Sequence, residues 1–427
     1  MQKAQKVTKK RFGVLVMIFI SVVINYLDRS NISIAASAIK DELNLDSIYM
    51  GFIFSAFSIT YALLQVPGGI MVDRIKPKVL YPVILVLWST ATLFQGFVKS
   101  FMGFIFTRAS IGVFEAPSYP MNNKIVSTWF PEKERASAIA VYTSGQFIGL
   151  AFLTPVLVTI QNWLGWRGMF ILSGLVGIVW ALIWYFFYKA PDEDKTISEE
   201  ELNLIKDGGG IVDTKSKPRP FKWSELWTAL RYKQLWGVYI GQFCLGTLFI
   251  FFLTWFPTYL VEFRGLDFVQ TGWLASIPFL AAFFGVLLAG FLSDNLVKRG
   301  YSAEFARKTP ILIGMLLSVS IIGANYTEST SMVVFFLSLA FFGNGLASIA
   351  WVFISLMAPK HLLGLVGGVF NLIGGLAAAI TPIVIGYLVQ GGDFEPALFY
   401  IGFIALLGFF SYIFLVGKVE RIDSEEV

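Results

Sequence analysis

Cysteine and histidine are nearly missing from this 427-residue chain, which has one of each, Cys244 and His361. A single thiol excludes a disulfide framework and any multi-thiolate metal site. A single imidazole excludes a multi-histidine metal centre. Neither a metal nor an organic cofactor is therefore expected. Charge is scarce as well: 14% of the residues are charged and 56% are apolar, against roughly 25% and 45–50% in soluble domains. A soluble fold would have to leave much of that apolar excess in water. The composition therefore points to a helical protein of the lipid bilayer.

The net charge is +5, but the basic residues form no stripe that would suit nucleic acid. They sit in short segments between long apolar runs. The first apolar segment follows a basic start, carries Asp28 and Arg29, and has no small-residue cleavage site at the right distance. It is read as a retained first span.

Twelve apolar segments can be delimited, at about 12–36, 48–72, 79–98, 101–123, 136–161, 166–188, 234–260, 269–295, 309–327, 330–357, 362–389 and 395–417. Each is long enough to cross about 30 Å of hydrocarbon. With the N-terminus placed inside, 27 of the 33 Lys and Arg residues fall on the cytoplasmic side and four, Lys40, Lys99, Arg167 and Arg264, on the other. Arg29 and Arg108 lie within spans. That asymmetry predicts cytoplasmic termini in a cell membrane. The expected organisation is a six-helix bundle over 1–188, a cytoplasmic linker over 189–233 and a second six-helix bundle over 234–427. The Gly208-Gly209-Gly210 run marks the linker as flexible.

The two halves echo each other. Gly69 to Asp73, followed by Arg74, is repeated as Gly290 to Asp294, and Thr154-Pro155 as Thr381-Pro382. Matched halves with polar groups deep in the membrane suit a secondary transporter that rocks around a central cavity. In the segment after span 2, Gly69 would let helices approach closely, Asp73 would close a charged contact at the rim, and Arg74, Lys76 and Lys78 would hold the loop inside.

Four ionisable residues lie inside spans: Asp28, Arg29, Arg108 and Glu115. A charge near the bilayer centre costs at least about 2.5–3.5 kcal/mol, so the two acids and two bases are expected to pair. Arg108 and Glu115, seven apart, share a helical face about 10.5 Å apart along the axis. Asp28 is about 100° around its helix from Arg29 and need not share a partner. An arginine fork suits an organic anion's carboxylate. An anion that takes the arginine would raise the affinity of a nearby carboxylate for a proton. Neutral groups surround these charges: Asn25, Tyr26, Asn31, Tyr61, Gln65, Asn122 and Gln146 in the first half, and Asn344, Ser348, Trp351, Ser355 and Asn371 in the second. Together they suit a polyhydroxylated acid. No nucleophile–base–orienter set can be found, so an enzyme is not expected.

The loop Gly69 to Lys78, together with NYLDRSN (25–31), FSAFSITYALLQVPGG (54–69), TRASIGVFEAPSYPMNN (107–123), NGLASIAW (344–351) and GGVFNLIGG (367–375), resembles the anion:cation symporters of the major facilitator superfamily. Lys76 stands where that loop pattern usually has a second glycine. The resemblance implies an all-α fold of 12 transmembrane helices and proton-coupled uptake of a sugar acid, D-galactonate first, with glucarate, galactarate or a hexuronate as alternatives and a non-transporting sensor as a third reading. It implies that Asp28 and Glu115 carry the coupling proton beside Arg108, and that Arg29 meets the substrate carboxylate. Tyr26, Tyr61, Gln146, Ser348, Trp351 and Asn371 would contact the sugar acid, and Gly69, Asp73 and Arg74 would serve gating. The expected partners are the sugar acid, protons and lipid, and the expected state is a monomer.

Overall fold

The computed structural model describes residues 8–210, 230–359 and 363–422. Lys360 and His361, the later part of the central segment and both extreme ends lie outside the described residues. Every regular element described is helical. In the first half these are α1 (Lys10–Leu43), α2 (Ser47–Leu63), α3 (Gln65–Arg74), α4 (Pro77–Gln95), α5 (Phe101–Glu115), α6 (Ser118–Trp129) and α7 (Glu132–Phe187). The segment that follows holds α8 (Glu199–Asp207). The second half has α9 (Lys233–Thr254), a π-turn (Tyr259–Phe263), α10 (Phe268–Lys298) and α11 (Ala303–Ser318), which runs on as a 3-10 stretch (Val319–Tyr326). It continues with α12 (Thr330–Ala347), a 3-10 turn (Ser348–Ala350), α13 (Trp351–Met357), α14 (Leu363–Leu388) and α15 (Glu395–Phe414).

Among the described residues, nine helices are long and apolar enough to cross a membrane, and the pair α2 and α3, bent by 49°, makes a tenth. The 56-residue α7 is two legs joined at Gly165, whose φ of 67° takes the left-handed conformation that glycine adopts at little cost. The fifth and sixth apolar segments expected from sequence are these two legs. The fourth expected segment is likewise split, into α5 and α6 at Pro117.

Local chemistry fixes the helix ends. Asp46, Ser100, Ser198, Asp267 and Ser302 are N-caps whose side chains accept backbone N–H groups of the first turn. Asn44 closes α1 at φ 51° and donates its N–H to the Lys40 carbonyl.

The triglycine run does not behave as a flexible tether. Gly208 and Gly210 donate to the Leu204 and Ile205 carbonyls, and Gly209 has φ +83°. The glycines therefore close α8 rather than loosen the chain, because glycine takes the left-handed step that ends a helix. Gly208 O then accepts the Glu132 N–H at 2.7 Å, and Arg135 donates to Gly209 O. The carboxylate of Glu201, on α8, is fully buried. It accepts from the Thr8 hydroxyl (2.6 Å), the Lys10 and Arg11 N–H groups (3.0 and 3.2 Å) and the Arg11 guanidinium (3.2 Å). It thereby satisfies the open N-terminus of α1.

The halves meet at the end of the molecule away from α8. A Cβ placed on Gly51 of α2 would lie 2.5 Å from the Pro382 carbonyl of α14, and one on Gly386 2.6 Å from the Ser47 carbonyl. Trp255, held within the second half by its Nε1 bond to Pro382 O at 3.1 Å, meets the ring of Phe54 from the first half edge-on at 5.4 Å. Gly272 of α10 packs on Val158 of α7, and Lys40 pairs with Glu262 at 2.6 Å. At the α8 end, α3 packs on α2 and α6, and α6 on α1, α3, α4 and α7, all within the first half.

Candidate functional site

Asp28 and Arg29 sit midway along α1, in the middle of its apolar run. Asp28 is 0% exposed and Arg29 9%. They point to different neighbours. Arg29 Nε donates to Glu115 Oε1 at 2.7 Å and Nη2 lies 2.5 Å from the same oxygen, a charge-assisted contact. The Arg29 guanidinium also lies over the rings of Tyr26 (4.9 Å), Phe57 (4.9 Å) and Tyr61 (4.8 Å), whose negative faces attract a cation. Tyr26 donates its hydroxyl to Gln146 Oε1 at 2.9 Å. One face of α1 thus joins Arg29, Tyr26, Tyr61 and Gln146, and with them Glu115, which the sequence had grouped with Asp28 and Arg108.

Asp28 looks the other way. Its environment is set by Glu115 and Arg108 and by the side chains of Trp88 and Thr92 on α4. Neither carboxylate oxygen has a hydrogen-bond partner among the described residues. Arg108 donates to the Asp28 backbone carbonyl at 3.3 Å and lies 5.2 Å from the Phe57 ring. The four charges do assemble, but the only tight ion pair among them is Arg29–Glu115. Sequence reasoning missed Phe57, which lies under both arginines, and Tyr119, which stands among Tyr26, Arg29 and Tyr61. A signal existed: Phe57 is one turn before Tyr61, and the two rings stack at 5.4 Å. Tyr119 is four residues past Glu115.

The second-half residues are more scattered. Ser348 Oγ donates to Gly345 O at 2.7 Å. Trp351 is 47% exposed, with its ring edge-on to Phe370 at 4.7 Å. Asn371, next to Phe370, is exposed. Asn344 is taken up structurally, donating to Leu245 O at 2.9 Å. Among the described residues of the second half, no charged side chain is buried. An aromatic layer of Phe147 from the first half with Phe249 and Phe341 from the second bridges the halves beside Tyr26.

The gating segment departs from expectation in two details. A Cβ on Gly69 would meet nothing within 4 Å, whereas one on Gly68 would lie 3.1 Å from the Pro117 backbone. Gly68 is therefore the glycine that permits close packing, because it faces the break between α5 and α6. The Asp73 carboxylate makes no ion pair among the described residues. Lys124 instead caps the end of α3, donating to Val72 O at 2.5 Å and approaching Asp73 O at 3.5 Å. The half-copy does make the charged contact: Asp294 meets Arg307 at 2.8 Å. Arg74 is exposed. No group of three or more potential metal ligands occurs among the described residues.

Such a bundle, all helical, with a buried ion pair inside its first half and two halves that meet at one end, defines a membrane carrier of the facilitator type. The Major Facilitator Superfamily model matches residues 18–381, and the chain belongs to that superfamily; it is a multi-pass membrane protein. It is 50% identical over 423 residues to the D-galactonate transporter of Escherichia coli O6:H1, covering 98% of each chain. It is 41% identical to the "Probable galactarate/D-glucarate transporter GudP" of Bacillus subtilis, covering 98% of this chain and 94% of that one. Among solved structures, a bacterial homologue of the human lysosomal transporter Spinster, described as inward-facing and occupied, superposes with a TM-score of 0.77 at 18% identity, over 96% of this chain and 97% of the other. A point mutant of the nucleoside transporter NupG gives 0.71 at 12% identity, over 95% and 100%.

Proposed function

We propose that the protein takes up a sugar acid anion together with protons by alternating access, with D-galactonate as the substrate. The observation that carries this is the buried Arg29–Glu115 pair in its aromatic surround, with Asp28 held behind it. A substrate carboxylate that takes over the Arg29 fork releases Glu115 from its cation. An uncompensated carboxylate in so dry a place binds a proton. Anion and proton then bind cooperatively, which is the coupling a symporter needs. Arg108 lies beside both Asp28 and Glu115 and modulates the two acids. Tyr26, Tyr61 and Gln146 receive the substrate's first hydroxyls, and Ser348, Trp351 and Asn371 its far end.

The relatives named for D-galactonate and for galactarate/D-glucarate frame the choice of substrate. A dicarboxylate would bring a second charge to the second half. The lack of any buried cation among its described residues favours a single carboxylate with a neutral, hydroxylated tail. The full architecture in this reading has twelve spans in bundles 1–188 and 234–427, a connecting segment 189–233 and cytoplasmic termini; the protein works as a monomer. The meeting of the halves at the end away from α8 supports an arrangement open to the cytoplasm. In that arrangement Gly69, Asp73 and Arg74 belong to the part of the gate that must close.

The test is proton flux into proteoliposomes carrying a pH dye, with D-galactonate added outside and galactarate, D-glucarate and galacturonate as comparisons. Interior acidification with D-galactonate is the expected result. Acidification with a different acid would move the substrate assignment. Silence with all four acids from folded protein would remove the symport reading.

A further inference from the structure

Asp28 presents a problem of access. It is wholly buried, and beside Glu115 and Arg108 it is faced by Trp88 and Thr92 of α4, so a proton has a second side from which to reach it. Trp88, Thr92 and Gln95 stand at i, i+4 and i+7 on α4, one helical face. Asp28 and Asn31, three apart, share a face of α1. All five are fully buried. Trp88 Nε1, Thr92 Oγ1, both amide atoms of Gln95 and of Asn31, and both carboxylate oxygens of Asp28 have no hydrogen-bond partner among the described residues. Buried polar groups are rarely left so, and one orphan could be an accident of packing. Trp88 and Thr92 turn to the Asp28 carboxylate itself; beyond them, the four amide atoms of Asn31 and Gln95 are without a partner among the described residues and extend a polar lining.

The register makes the lining a file. Both helices start at the α8 end of the molecule: the first turn of α1 is held by Glu201, and Lys76, just before α4, pairs with Glu193. They therefore run in the same direction. Asp28 lies level with Trp88 and Thr92, the α4 side chains that act on it. One step of about 4.5 Å outward along each helix brings Asn31 and Gln95 level with each other. A further step reaches Ile34, whose carbonyl is approached by Gln161 Nε2 at 3.5 Å. Gln161 is only partly buried, and its Oε1 is again without a partner.

We propose that Thr92, Asn31, Gln95 and Gln161 hold a file of ordered waters that carries protons between the outer face and Asp28 without passing through the substrate cavity. The inference rests on the symport reading above. Each water in such a file needs two to four polar partners, and hydroxyl and amide groups supply both donors and acceptors. The groups that face Asp28 are Glu115 and Arg108 from α5 and Trp88 and Thr92 from α4. The neutral residues Asn31, Gln95 and Gln161 add no charge that would trap the proton on the way. These are positioning residues; none touches the Arg29–Glu115 cluster where the substrate is expected.

Two measurements test this. In proteoliposomes, proton-driven accumulation of labelled D-galactonate is compared with counterflow, which exchanges loaded carrier and needs no net proton movement. Thr92→Val and Gln95→Leu are each expected to lower the ratio of accumulation rate to counterflow rate at least tenfold, with Thr92→Ser restoring it. An unchanged ratio overturns the proposal, and the ratio corrects for protein lost to misfolding. In the wild type, infrared difference spectroscopy follows hydrogen–deuterium exchange of the Asp28 carboxyl, assigned with Asp28→Asn. Exchange that persists when saturating D-galactonate fills the cavity is expected; exchange blocked by substrate overturns the separate route. A wild type that shows no proton-driven uptake at all would instead sink the symport reading, and the exchange measurement would still decide whether the file exists.

Discussion

In the proposed symport Arg29 serves two carboxylates in turn, and its geometry says which property matters. Two nitrogens grip one oxygen of Glu115 while three rings surround the cation. Lysine has the charge but not the fork, so Arg29→Lys is expected to weaken D-galactonate binding about 100-fold or more, read by counterflow at varied concentration. Unchanged affinity would make Arg29 a structural residue only. Glu115→Gln removes the group that must take up the proton but leaves the fork free for substrate. It is expected to abolish uphill accumulation while retaining exchange, and to flatten the rise of uptake with falling external pH that the symport reading expects of the wild type. Accumulation against a gradient in that variant would exclude Glu115 from coupling. At this scale the sequence was informative. Four charges in an apolar run cannot be indifferent to one another, and pairing between the first and fourth segments followed from cost alone. The roughly 100° between Asp28 and Arg29 allowed them different partners, but which neighbour each meets depends on how α1 is rotated against α4 and α5.

Helices α2 and α14 show how small residues set a contact. The backbones approach so closely at Gly51 and Gly386 that a side chain on either would strike a carbonyl of the opposite half. Gly51→Val is therefore expected to prop this end apart. Phe54 is 1% exposed in the native arrangement, so labelling of a Phe54→Cys reporter by an impermeant thiol reagent from the outer side should rise when Gly51→Val is added. Unaltered labelling would mean that the contact does not hold the closed end. Helix α8 is the element the sequence misled on. Three glycines in a charged stretch read as a tether, yet their left-handed step ends a helix docked by Glu201. Glu201→Ala strands the first amides of α1 and takes one carboxylate from Arg11, which keeps Glu134 at 3.0 Å. A loss of about 3 kcal/mol is expected for breaking a buried charged contact of this kind, seen as a lower melting midpoint in detergent, with the apparent affinity for substrate unchanged.

For the whole molecule, the energetics of uptake depend on how many protons accompany the anion. One pH unit supplies about 1.4 kcal/mol per proton, and a potential of about 100 mV supplies about 2.3 kcal/mol per charge moved. A single proton with a monovalent anion is electrically silent, whereas two protons make transport carry current. Two buried acids, Asp28 with its own approach and Glu115 tied to the anion, argue for the second case. D-galactonate uptake is therefore expected to drive inward positive current across a supported membrane, and its absence would fix the ratio at one.

Composition alone determined that this chain lives in lipid: with so little charge, its apolar surface has no other solvent, and backbone hydrogen bonds in lipid must close within helices. The internal echo of Gly69–Asp73 in Gly290–Asp294 pointed to two related halves. What only the tertiary structure decided were the relations between helices distant in sequence: which glycine, Gly68 rather than Gly69, lies against a neighbour; which copy of the acidic motif finds its arginine; and which polar side chains line up across α1 and α4. Each depends on rotations and depths of whole helices. Those are set by the summed packing of many apolar side chains, no one of which carries the information in its own identity.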